Sequence, residues 1–160
     1  MEAIIFIGIQ ASGKTTFYRD RFLHTHVRLS LDLLRTRHRQ RVLMDACLAT
    51  QQRFVIDNTS VLRNERAVYI AAAKAAGYTV IGYYFAAELK AALNRNSKRS
   101  GKQRIPEKGV VAMYKRLEPP RLDEGFDQLY TVEVGRENEW NVNPSERFCE
   151  GSLAKRKRPD

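Results

Sequence analysis

The chain has 160 residues, with 28 lysines and arginines against 18 aspartates and glutamates, a formal charge of +10 and 43 % hydrophobic residues. This composition fits one globular domain with a proper core and excludes collagen-like and low-complexity chains. The cysteines Cys47 and Cys149 have no metal-type spacing and suit a reducing compartment, and no stretch approaches membrane-spanning length or reads as a leader, which points to the cytoplasm with no membrane and no protein partner implied.

The chain starts with a strand. Ile4, Ile5, Phe6 and Ile7 form a continuous apolar run, as a strand buried on both faces requires. The segment GIQASGKTT, residues 8–16, follows at once and fits the phosphate-loop pattern G-x-x-x-x-G-K-[ST]. Gly8 and Gly13 let the backbone turn its N–H groups around an anion, and Ala11, Ser12 and Thr16 complete the cradle. Lys14 can reach the β- and γ-phosphates, and the Thr15 hydroxyl can ligate Mg²⁺. The helix over 14–23 begins here, so its N-terminal partial charge also faces the phosphates. ATP and Mg²⁺ are the cofactors this pattern implies.

The remaining elements alternate. Residues 27–32 read as a short strand ending at Asp32, 33–52 as a helix with a basic outer face, and 53–57 as a strand closing on Asp57. Residues 61–77 are helical, with Gly77 in the stop position. A strand over 78–85 precedes a helix over 86–99, a loop over 100–106 and a helix over 107–117 that Pro119 and Pro120 end. A last strand spans 128–134. The polar, basic segment 136–160 reads as a partly disordered tail outside a domain over 1–135. Trp140 in that tail suits either stacking on a base or anchoring the tail to the body.

Strands alternating with helices predict an α/β fold: a parallel sheet of about five strands with helices on both faces, plus a helical lid around 95–106. Ligands of such sheets gather at the carboxyl ends of the strands. The phosphate loop, Asp32 and Asp57 all lie at such ends.

Each candidate has a plainer role beside the catalytic one. Asp32 can be a helix cap or the general base that takes a proton from an attacking hydroxyl. Asp57 can be a turn residue or the acid that supports Mg²⁺. Arg95 and Arg99, one turn apart, can be a solvated helix end or lid arginines over the triphosphate. Spacing alone does not choose. The charge balance favours a polyanionic partner, concentrated in the basic runs 35–41, 95–104 and 155–158.

The pieces GIQASGKTTF, LSLDLLR, VIDNT, LNRNSKRSGKQRIP and VVAMYKRL, in this order from about residue 3 to residue 117, resemble the kinase domain of the 5′-hydroxyl polynucleotide kinases, the phage and animal end-healing enzymes. The resemblance implies that Lys14 and Thr15 hold the phosphates and metal and that Asp32 is the general base. It implies that Arg35 contacts the acceptor's phosphate, with Asp57, Asn58 and Thr59 on the acceptor or metal side. Arg99 then clamps the donor phosphates with help from Arg95. Leu31 and Leu33 flank the base where the family often has polar neighbours, and Ser60 stands where it usually has Asn. No D-x-D-G-T phosphatase motif follows. The expected activity is ATP-dependent transfer to the 5′-hydroxyl of DNA or RNA, the acceptor lying along Arg35, Arg37, Arg39 and Arg41. The alternatives are a P-loop kinase of a small metabolite or nucleotide sugar, and a non-catalytic nucleotide switch that binds RNA.

Overall fold

A computed structural model describes residues 1–145. Six strands form one sheet: β1 (Glu2–Ile7), β2 (Val27–Leu29), β3 (Phe54–Ile56), β4 (Thr79–Phe85), β5 (Gln128–Val134) and β6 (Trp140–Pro144), in the order β2-β3-β1-β4-β5-β6. The first five pair in parallel, with Ile4 opposite Val55 on one side and Ile81 on the other. The chain leaves β1 for the far edge at β2, returns to β3, then crosses to β4. That reversal opens a crevice at the carboxyl end of β1, where the phosphate loop emerges.

β1 carries no polar face because both of its faces are covered. Ala3, Ile5 and Ile7 point into one core with Met44 and Cys47 of α3 (Arg37–Ala49) and Tyr69, Ile70 and Ala73 of α4 (Arg63–Ala75). Ile4 and Phe6 point into the other with Phe17 and Tyr18 of α1 (Lys14–Arg21). Aromatic rings interlock here: Phe6, for example, meets Phe17, Phe22, Tyr83 and Phe85 at centroid distances of 5.2–6.1 Å. Gly77, at φ 78°, turns the chain out of α4 as its position in the sequence suggests.

A third, smaller cluster carries the lid. Ile9 of the phosphate loop packs with Ala92 of α5 (Leu89–Ser97) and Val110 of α6 (Glu107–Arg116). Asn96, 1 % exposed, accepts from the Ile105 amide at 3.0 Å and donates to the Ile105 carbonyl at 2.6 Å. The loop over 100–106 is thereby stapled back onto α5.

Two expectations change and one open choice is decided. The helix expected over 33–52 is two: a four-residue α2 (Leu31–Leu34), then a break at Arg35 with φ 72°, then α3, whose cap Thr36 accepts from the Arg39 amide at 3.2 Å. Second, the sheet has a sixth strand where a tail was expected. Residues 140–144 pair antiparallel with β5, Val132 opposite Val142 and Val134 opposite Trp140. Trp140 and Val142 alternate onto the aromatic core while Asn141 and Asn143 face outward, which is a strand pattern in a segment too polar on average to suggest one. Third, Trp140 anchors: its indole N–H donates to Asp20 Oδ2 at 3.0 Å and its ring meets Phe17 edge-on at 5.1 Å. The basic run 155–158, and the remainder of the expected tail from residue 146, lie outside the described residues. Among the described residues, no helix is long and apolar enough to cross a membrane.

Candidate active site

The phosphate loop closes on itself. Lys14, 9 % exposed, donates to the Gly8 carbonyl at 2.9 Å, the Ile9 carbonyl at 2.6 Å and Ser12 Oγ at 3.3 Å. Its pKa falls from 10.5 to about 8, chiefly through burial of the ammonium; the Asp57 charge opposes the fall, Arg99 adds to it and Asp32 opposes it. These three charges come from three different segments, and all act on one lysine. Gly13 caps α1 at φ 97°, a left-handed geometry that suits glycine, and Trp140 covers the spot where a Cβ would sit, its Cη2 only 3.1 Å away. Ala11 takes the same left-handed region at φ 59°, and its carbonyl accepts from Arg95 Nη1 at 3.1 Å. Thr16 is exposed in the first turn of α1.

Asp57 leaves the end of β3 with its side chain 2 % exposed. Its Oδ2 accepts from Thr15 Oγ1 at 3.1 Å and from Arg28 Nε at 2.8 Å, and Arg28 Nη2 also donates to Thr15 Oγ1 at 3.2 Å. A hydroxyl and a carboxylate in contact, both oxygen donors, match the hard ligands Mg²⁺ takes beside phosphates. The residues therefore fit the metal, with Arg28 as the cation they share here. Arg28 was invisible as a functional residue in the sequence; its signal is a single charge inside the short strand Val27–Leu29.

Asp32 is exposed in the first turn of α2. The cap position belongs to Ser30, which makes no side-chain cap bond, so the capping role does not fall to Asp32. Its neighbour Arg35 is also exposed, but it lies past the end of α2. Three residues apart on one continuous helix, Asp32 and Arg35 would share a face, but α2 ends at Leu34 and the positive φ at Arg35 redirects the chain. Arg99 likewise lies beyond α5, where a tightened turn carries the Arg99 amide onto the Asn96 carbonyl at 3.1 Å. Lys98 and Arg99 thus project from the helix end at the lid loop rather than from its interior.

Asn58 and Thr59, expected on the acceptor or metal side, make contacts within the scaffold. Asn58 Oδ1 accepts from the Leu31 amide at 3.0 Å, and Nδ2 donates to Gln40 Oε1 at 3.3 Å and Tyr69 Oη at 3.2 Å. That leaves the Asn58 amide no free donor for an acceptor. The Thr59 carbonyl accepts from the Gly8 amide at 2.9 Å, tying β3's extension to the start of the phosphate loop.

A cavity of about 290 Å³ opens beside the loop between Ser12, Ala87, Ala91 and Arg95 on one side and Val132 and Glu133 on the other. It lies against the same Arg95 that reaches the Ala11 carbonyl, on the far side of the loop from Asp57's strand.

The model of a family described as an AAA domain matches residues 4–120, most of the chain. The chain belongs to that family. Solved structures share its fold at low identity. A gluconokinase from Sinorhizobium meliloti 1021 is 16 % identical with a TM-score of 0.60, over 84 % of this chain and 83 % of the other. A sugar kinase from Janibacter sp. HTCC2649 is 18 % identical with a TM-score of 0.64, over 83 % and 85 %. Chaetomium thermophilum Kti12, in complex with ADP-AlF3, is 16 % identical with a TM-score of 0.60, over 85 % and 92 %. At these identities the likeness shows the fold alone, that of the P-loop kinases.

Proposed function

We propose that this protein is an ATP-dependent phosphotransferase that moves a γ-phosphate onto a hydroxyl acceptor, with Asp32 as general base. One observation carries the reading: Asp32, an exposed carboxylate free of any capping duty, stands just past the carboxyl end of β2, at the same edge of the parallel sheet from which the phosphate loop leaves β1. A non-catalytic switch that only senses its nucleotide has no use for a general base there. The acceptor hydroxyl gives its proton to Asp32 as its oxygen bonds to the γ-phosphorus, and the bond to the β–γ bridging oxygen breaks to release ADP. Lys14 and the N-terminus of α1 hold the phosphates, while Arg99, with Arg95, faces the charge that spreads over the transferring group. Mg²⁺ held by Thr15 and Asp57 would neutralise phosphate charge when bound.

For the acceptor, a small hydroxylated metabolite is supported by the gluconokinase and sugar kinase among the structural neighbours. The second reading is the 5′-hydroxyl end of DNA or RNA. Its support is the exposed basic face of α3, with Arg37, Arg39 and Arg41 all solvent-facing, beside the exposed Arg35. Transfer of label from γ-labelled ATP to a panel of sugars, sugar acids, nucleosides and oligonucleotides tests both. Transfer to any hydroxyl, lost in Lys14→Ala, supports the kinase; transfer to none overturns it. Oligonucleotides that outcompete sugars, with affinity falling steeply as salt rises, select the second reading. In that case 5′-phosphorylated oligonucleotides accept nothing.

A further inference from the structure

α2 is one turn long, and such a helix has no stability of its own. Its first amide, Leu31 N–H, has no partner within the helix. Ser30 is placed to cap it, yet among the described residues the buried Ser30 hydroxyl has no hydrogen-bond partner, and the Leu31 amide is satisfied from the segment after β3 by Asn58. Asn58 is in turn gripped by Gln40 of α3 and Tyr69 of α4. Gln40, 2 % exposed, donates through Nε2 to the Leu29 carbonyl at 3.3 Å, and Tyr69 donates to Gln40 Oε1 at 3.0 Å.

This chain of bonds has only one self-consistent orientation. The Leu29 carbonyl demands the Gln40 N–H₂, which turns Gln40 Oε1 toward Asn58 and Tyr69. Both are then donors to it, so Asn58 must present its carbonyl oxygen to Leu31. The ends of the network adjoin the two acids of the site. Leu31 precedes Asp32, Asn58 follows Asp57, and the Leu29 carbonyl that holds Gln40 also accepts from the Asp57 amide at 2.9 Å.

We infer that Gln40 and Tyr69 are positioning residues, which act through Asn58 to fix the α2 turn, and so Asp32, relative to Asp57. The inference rests on the reading of Asp32 as general base. It assigns two buried side chains that touch neither nucleotide loop nor acceptor to the rate of transfer rather than to binding.

Two measurements test it on the full chain. Amide hydrogen exchange needs no acceptor. Gln40→Met, close in volume and unable to hold Asn58, should speed exchange of the Leu31 amide and of Leu33, Leu34 and Arg35 by about tenfold or more, with β1 amides unchanged. Unchanged exchange in α2 overturns the inference. The second measurement is single-turnover transfer to whichever acceptor the label panel selects. Gln40→Met and the milder Tyr69→Phe should each lower the rate by about tenfold while leaving the KM for ATP within about twofold. In an Asp32→Asn background the same substitutions should have almost no further effect, because the group they position is gone. An equal loss in both backgrounds overturns the positioning role. If Asp32→Asn alone leaves the rate intact, the base reading fails instead, and the exchange result still reports whether the network holds the turn. Tyr69→Phe removes a single oxygen, so it keeps the test alive should Gln40→Met not fold.

Discussion

Lys14 makes stability depend on alkaline pH in a direction opposite to that of an exposed lysine in an ion pair. Its ammonium is buried, and burial holds it at about 8 when folded against 10.5 when unfolded. Between those values the unfolded chain binds the proton and the folded chain does not, so folding becomes more favourable as pH rises from 8 to 10.5. Below pH 8 the lysine is charged in both states and the full desolvation penalty is present. The displacement corresponds to about 3 kcal/mol, because one pKa unit is about 1.4 kcal/mol. Lys14→Met keeps the length of the stem and lacks the titration. Urea unfolding of both proteins from pH 8 to pH 10.5 isolates the effect, since the buried tyrosines and Cys47 that also titrate in this range are common to both. The stability of the parent relative to Lys14→Met should climb by about 3 kcal/mol across the window. Parallel curves would refute the burial argument. A phosphate beside the ammonium favours the charged form, so nucleotide binding above pH 8 should take up a proton, visible as a buffer-dependent heat in calorimetry.

Arg99→Ala should lower transfer by about 10²-fold while moving unfolding stability by less than about 0.5 kcal/mol, because an exposed side chain at a helix end contributes little to the fold; a rate equal to that of the parent would remove the lid from the mechanism. Gly13→Ala should abolish nucleotide binding and lower the melting temperature together, since the methyl group meets Trp140 and the backbone sits at φ 97°; wild-type nucleotide affinity would count against that packing. Arg66 is fully buried and held by Glu124 through two bonds of 2.7 Å, with further bonds to the Ser60 and Val61 carbonyls at 3.0 and 3.1 Å. Glu124→Gln leaves that charge unpaired and should cost about 3–5 kcal/mol in denaturant unfolding, whereas a loss below about 1 kcal/mol would show that Arg66 finds another partner.

The parts of this protein legible in its sequence are those governed by neighbours along the chain. The apolar run of β1 and the G-x-x-x-x-G-K-T turn that follows are local, and so are the periodicities of α1, α4 and α5 and the glycine stop at Gly77. Parallel order followed from alternation, and with it the convergence of Lys14, Asp32 and Asp57 at one edge. Tertiary structure decided what depends on a distant partner. The break at Arg35 divides a basic stretch that is helical in period throughout; Asn58, from the segment after β3, makes the short α2 turn possible by satisfying Leu31. β6 exists because the edge of β5 offers a ladder and the aromatic core accepts Trp140 and Val142, neither of which average polarity records. Arg28 and Arg66 look like any surface charge until Asp57, 29 residues on, and Glu124, 58 residues on, are folded against them. A side chain's own pattern reports which face it occupies; which donor meets which acceptor is set only when separate segments close on one another, because a hydrogen bond is directional and its partner can lie anywhere in the chain.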